Sequence, residues 1–361
     1  MPKRNYLGFK IGRQGSNVQD ASPKGRNGLD NDGSATGEGA NSTAPQINDL
    51  YSTVGETGIR VIANPDEATL EYARNPVMLL WLLYLTCVFD SIVFVHGLTG
   101  NRDKTWTHES GVFWPGELAE DITSARIMTF GYDADVVKLW GMVSGNTLRD
   151  HGKNLAYDVS DQRRRCRDRP IIFIAHSLGG LVCEQALLIC RDGEAHLATL
   201  EKVFHSTQGI IFMGTPHRGA DLAHWGKTLA KLLTVIRHTN PAIVGVLEKK
   251  SEVLAAVQEQ FQQTLLKYHG SINIYCFYEE KPVRGVDFIV SKESALLPQY
   301  PNQSIGANHM DMTKFSGRND AGYQRVLNRV LDIIEVINSA SNDASERATG
   351  DGRQGAQKAR R

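Results

Sequence analysis

Between Arg169 and Leu187 the chain reads RPIIFIAHSLGGLVCEQAL, a dense apolar run that passes through a small-residue corner into a helical pattern. No other stretch restricts the fold as strongly. A serine on a sharp strand-to-helix turn is held in strained backbone geometry, and the residues two before and two after it must be small to avoid neighbouring chain. Around Ser177 those positions are Ala175 and Gly179, with Gly180 next. Alanine replaces the glycine usual at the first position, and as the next smallest residue it still meets the steric demand. A serine hydroxyl is a poor nucleophile at neutral pH, so a turn of this kind implies a nearby general base and donors for an oxyanion.

The surrounding pattern supplies a sheet for that corner. The short apolar runs SIVFV from Ser91, ARIMTF from Ala125, IIFIA from Ile171, GIIFM from Gly209 and INIYCF from Ile272 are separated by longer polar or helical stretches. Runs without polar alternation are the mark of strands buried on both faces, so an α/β fold is expected, with a mostly parallel central sheet and helices on both sides. With 361 residues, 41% of them hydrophobic, the chain can bury a large core. Forty Lys plus Arg balance forty Asp plus Glu, which removes any general electrostatic case for nucleic acid. The five cysteines are odd in number and scattered without a C-x-x-C pair. Neither a disulfide framework nor a zinc site is expected, and a reducing compartment fits. The location is expected to be intracellular, cytoplasmic or membrane-associated, with the organelle open between mitochondrion and endoplasmic reticulum.

Composition also sets the expected boundaries: 1–50 as a disordered segment, 51–337 as the folded domain, and 338–361 as a disordered tail. Both end segments are rich in small and polar residues and poor in bulky apolar ones, so they cannot offset the entropy of ordering. Lys3, Arg4, Lys10 and Arg13 precede the first acid, Asp20, and read as a solvated basic tail or a weak targeting signal. Inside the domain, residues 76–89 spell PVMLLWLLYLTCVF. As a helix, Val77 to Phe89 would reach about 20 Å, short of a hydrocarbon core of about 30 Å. Extension through Val95 would place Asp90 in the bilayer, at about 2.5 to 3.5 kcal/mol, and would consume the strand leading to His96. Three readings stay open: a buried or interfacial helix, a membrane anchor, or sequence foreign to the fold such as a read-through intron.

An oxyanion at the corner would take one N–H from Leu178, the residue after the serine, and a second from the loop after an earlier strand. In IVFVHGLTG that loop begins at His96-Gly97, which makes Leu98 the second donor. The order along such chains is serine, acid, histidine. His309, in GANHMDMTKF, follows the last apolar run and is the candidate base. Three acids compete to orient it: Glu279, favoured at the end of INIYCFYE, with Asp287 and Glu280 as alternatives. His217 precedes all three and reads as a structural or substrate-edge residue. Gly226-Lys227-Thr228 imitates a phosphate loop, but Asp221 stands where the motif needs glycine. Residues 222–268 are mainly helical in pattern, with Leu229, Leu232, Leu233 and Ile236 at helix spacing, and form either a cap over the site or a layer packed on the sheet.

The segments IVFVHGLTGNRDKTWT, ARIMTFGYDADV, IAHSLGGLVCEQAL, GIIFMGTPHRGADLAHWG and VSKESALLP with NHMDMTKF together resemble the serine-active-site-containing lipase-like family, over about residues 55–337. That family belongs to the α/β-hydrolases and is related to enzymes that deacylate glycosylphosphatidylinositol lipids and, in animals, is linked to phosphatidylglycerol remodelling. The resemblance implies a serine esterase acting on carboxylic esters, lipid esters among them, with Ser177 and His309 carried over and Leu98 and Leu178 by position. Fungal proteins similar to it are effector domains, so a hydrolase-fold signalling module and a membrane-associated lipid acyltransferase are the competing readings. No metal or organic cofactor is implied. The expected partners are an ester or lipid substrate and, through 76–89, a membrane; the oligomeric state is left open.

Overall fold

A computed structural model describes residues 57–65, 90–98, 100–134, 145–193, 198–218, 227–228 and 251–358, all within the compact unit Ser52–Arg361. The expectations for 1–50, for the apolar run 76–89 and for most of 222–250 lie outside the described residues.

In chain order the elements are β1 (Gly58–Ala63), β2 (Ser91–Val95), α1 (Trp114–Asp121), β3 (Arg126–Gly131), α2 (Gly145–Gln162), β4 (Ile171–His176), α3 (Leu178–Arg191), α4 (Ala198–Ser206), β5 (Thr207–Met213), α5 (Ser251–Lys267), β6 (Asn273–Glu279), β7 (Asn302–Ile305) and α6 (Ala321–Lys358). The strands form one sheet in the order β1-β3-β2-β4-β5-β6-β7. β1 runs antiparallel to β3 at one edge, and every other pairing is parallel.

Every residue of β2, β3 and β4 is buried, as parallel strands covered on both faces must be. Successive side chains point to opposite faces and divide the core in two. Val93, Val95, Phe173, Ala175 and Phe212 face one layer, with side chains of α2, α3, α4 and α5. Ile92, Phe94, Ile172, Ile174 and Ile211 face the other, with α1 and α6. On that second side Trp106 and Trp114 meet Phe94 edge-on, at centroid distances of 5.1 and 4.9 Å.

The five apolar runs all become strands. β1 and β7 were not among them: β1 is a half-exposed edge strand, and β7 is the short polar sequence NQSI. Two other expectations need correction. The terminal helix continues to Lys358, so helical backbone does not stop at Asn338. The packed turns from Tyr323 to Ile337 provide the costly nucleus from which the helix continues. Cys166 is disulfide-bonded, whereas Cys183, Cys190 and Cys276 are free and buried. Spacing in sequence says little about which loops a fold brings together, so the bond left no local signature. Among the described residues no helix is long and apolar enough to cross a membrane.

β4 lies at the centre of the sheet and delivers Ser177 at its C-terminal end, directly into α3. This mostly parallel sheet with a serine corner between its central strand and the next helix is the α/β-hydrolase fold.

Candidate active site

Ser177 has φ 52° and ψ −123°, a conformation that side-chain-bearing residues avoid and that persists only where the surroundings enforce it. Its N–H donates to the Met213 carbonyl at 2.9 Å, and its own carbonyl accepts the Gly180 N–H at 3.0 Å. The small residues around it are needed for close approach. A Cβ on Gly179 would strike the carbonyl oxygens of Val95 and His96, and one on Gly180 would run into the Thr215 side chain. Ala175 is fully buried beside its strand partners Val95 and Phe212.

The loop after β2 presses against this corner. A Cβ on Gly97 would lie 2.8 Å from the Ser177 Cβ, so only glycine lets Leu98 approach. Among the described residues, neither the Leu98 N–H nor the Leu178 N–H donates to a backbone carbonyl. Leu178 opens α3, where a helix leaves its N–H groups without internal partners. His96 shapes the loop. Its Nε2 accepts the Tyr132 N–H at 3.2 Å, which leaves the proton on Nδ1 to donate to the Gly97 carbonyl at 2.9 Å. The Tyr132 hydroxyl donates to the His96 carbonyl at 2.9 Å, and the two rings stack at 4.4 Å. Burial pushes His96 down to about 4, so the ring is neutral at physiological pH.

His309 comes from the loop between β7 and α6, and its Nε2 lies 3.0 Å from the Ser177 Oγ. Gly214, at φ 60°, lets the chain after β5 pass beside the His309 ring, where a Cβ would sit 3.0 Å from Nδ1. The three candidate acids part company here. Glu279 is buried, with Oε1 3.5 Å from His309 Nδ1 and Oε2 accepting the His309 main-chain N–H at 3.0 Å. The Val290 N–H donates to Oε1 at 2.7 Å and fixes the carboxylate. Glu280 is exposed, and Asp287 is an exposed turn residue whose Oδ1 accepts the Phe288 N–H. Neither of these two is brought to His309.

His217 is remote from that role. Its Nδ1 lies 3.2 Å from Glu184 Oε1, with both side chains 1% exposed. Burial opposes its charge, but the neighbouring Cys276 and Glu184 prevail and push it up to about 9. Its N–H donates to the Ser294 carbonyl, and its carbonyl accepts Gln262 of α5. Of the expected cap, α5 packs Val257, Phe261 and Leu265 into the core, and Gln258 donates to the Pro216 carbonyl. Sequence reasoning missed Tyr132, Glu184 and His176. Glu184 had left a signal, as a lone acid in the otherwise apolar helix face LVCEQALLIC, seven residues after Ser177.

The chain is similar to several known proteins. The chain is 27% identical to human Protein SERAC1 over 305 residues, covering 76% of this chain and 44% of that protein. It is 30% identical to the zebrafish (Danio rerio) protein of the same name over 271 residues, covering 67% of this chain and 39% of that one. The chain thus spans less than half the length of the curated relatives it matches. A solved lipase-esterase related protein from Clostridium acetobutylicum aligns with a TM-score of 0.39 at 12% identity, covering 77% of this chain and 99% of that one. Residues 91–269, which hold the serine corner and the Leu98 loop, match the family model "Putative serine esterase (DUF676)", and over that segment the chain is similar to that family of serine hydrolases.

Proposed function

We propose that this protein cleaves carboxylic esters, lipid esters among them, through an acyl-enzyme on Ser177. The observation that carries the reading is the 3.0 Å approach of His309 Nε2 to a serine Oγ held on a strained turn. Glu279 beside Nδ1 favours the tautomer with hydrogen there, which leaves Nε2 free to accept. His309 removes the Ser177 proton as Oγ attacks the ester carbonyl, and Glu279 stabilises the imidazolium that results. The N–H groups of Leu98 and Leu178 receive the oxyanion. His309 then protonates the departing alcohol. A water, giving its proton to the same nitrogen, releases the acid and regenerates the serine.

Lipid esters as the substrate class rest on the family resemblance, and association with membranes through 76–89 belongs to the same reading. The test is labelling of the full chain with a fluorophosphonate probe, together with turnover of p-nitrophenyl esters of increasing chain length. Labelling that Ser177→Ala abolishes, with turnover favouring longer acyl chains, is the expected result. Labelling that survives Ser177→Ala would overturn the nucleophile, and a strict preference for acetyl esters would overturn the lipid assignment.

A further inference from the structure

Building on the proposed roles of Ser177 and His309, we propose that His176 is a positioning residue that ties the main chain of the base to the nucleophile strand. The main chain of His309 is held on both sides. Its N–H donates to Glu279 Oε2 at 3.0 Å, and its carbonyl accepts from His176 Nε2 at 3.0 Å. A carbonyl can only accept, so Nε2 of His176 carries the hydrogen and Nδ1 is a bare lone pair. That Nδ1 is buried without a partner, a cost the fold bears with no local return.

The bond closes a ring of contacts. From Ser177 the chain steps back one residue to His176, across to the His309 carbonyl, through the His309 side chain, and from Nε2 to the Ser177 Oγ. His176 is the last residue of β4, paired in register with Met213, whose carbonyl accepts the Ser177 N–H. The donor therefore stands on the buried central strand of the sheet, and the loop bearing His309 is registered against the nucleophile independently of the proton-transfer contact. This matters because His309 must exchange its Nε2 partner between Ser177, the leaving group and water during turnover. Burial, then the neighbouring His309, hold His176 well below the ordinary histidine range, so the donor adds no positive charge beside the imidazolium. The rings lie 4.9 Å apart.

Packing alone would be served equally by another ring. Phenylalanine at 176 keeps bulk without a donor, whereas glutamine carries an amide N–H at about the reach of Nε2. On the full chain, His176→Phe is expected to lower kcat for p-nitrophenyl butyrate ~10- to 100-fold with KM within ~2-fold, as small misplacements of catalytic groups do. His176→Gln should recover most of the loss, at similar melting temperature. Equal kcat for Phe and Gln variants of equal stability would overturn the proposal. A second measurement needs no variant to be active: histidine ¹⁵N spectra of the unaltered protein should show His176, assigned through His176→Gln, as a neutral Nε2–H tautomer between pH 5 and 8. An Nδ1–H tautomer would overturn the proposal equally. If the unaltered protein is not labelled at Ser177 by the fluorophosphonate, the functional reading fails, while the tautomer still reports on the contact.

Discussion

Glu279 grips His309 at two points: Oε2 accepts its main-chain N–H at 3.0 Å, and Oε1 stands 3.5 Å from its Nδ1. One carboxylate thus orients both the backbone and the ring of the base. Glu279→Gln keeps the size but loses the charge that stabilises the imidazolium, and kcat should fall by about 10² to 10⁴. Glu280→Gln and Asp287→Asn, on the surface, should stay within ~2-fold of the unaltered protein. Steady-state turnover of p-nitrophenyl butyrate decides it; a comparable loss in Asp287→Asn would move the acid there.

Steric demand at the corner is unequal. Ala175→Gly only enlarges a position that already fits, and kcat should change little. At Gly180 an added methyl meets Thr215, and at Gly179 it meets two backbone oxygens that cannot rotate away. Gly180→Ala should cost about 1 to 3 kcal/mol in urea unfolding, as overpacking typically does, and Gly179→Ala more. Equal stability of Gly179→Ala and Ala175→Gly would show that the turn is looser than this packing implies.

Part of this was legible in sequence and part was not. The buried runs announced β2 to β6 because strands covered on both faces lose polar alternation, and the small residues at 175, 179 and 180 are a steric signature independent of the rest of the chain. β7 has only four residues, mostly polar, and its existence depends on β6 already being in place beside it. The acid stayed undecided between Glu279, Glu280 and Asp287. Which of two adjacent glutamates turns inward at a strand end depends on where the chain bends, and that in turn depends on β7 and the His309 loop. His176 was passed over because its partner is the His309 main chain, 133 residues away. Contacts to backbone leave no residue-type pattern to read.

Tyr132 holds the oxyanion loop partly through its hydroxyl. Its hydroxyl donates to the His96 carbonyl at 2.9 Å, one residue before Gly97 and two before the Leu98 N–H. Tyr132→Phe preserves the ring stacked on His96 and leaves that buried carbonyl short of a donor, at about 1 to 3 kcal/mol of stability. A loosened loop should also lower kcat more than it alters KM, because an oxyanion donor acts chiefly in the transition state. Unfolding and turnover of the same preparation test both; a variant that loses stability with unchanged kcat would separate His96 from the oxyanion loop.

The Glu184–His217 pair makes stability depend on alkaline pH. Cys276 faces His217 from β6 and Glu184 faces it from α3, while Gln258 and Gln262 of α5 meet the same loop without charge. Both members of the pair are shifted upward, His217 to about 9 and Glu184 by burial, so the folded pair keeps a proton that the unfolded chain has released above the ordinary histidine value near 6.5. A raised folded value means that the contribution is complete below about 6.5 and is lost as pH climbs toward 9, with a slope of up to about 1.4 kcal/mol per pH unit. The double variant His217→Gln/Glu184→Gln holds no such proton, and its stability should be flatter across the same interval. Urea unfolding of both proteins at pH 6, 7, 8 and 9 measures the difference directly. Parallel curves would mean that the buried imidazole is neutral in the native protein, and that the loop from Gly214 to His217 is held by its main-chain hydrogen bonds to Ser294, Gln258 and Gln262 instead.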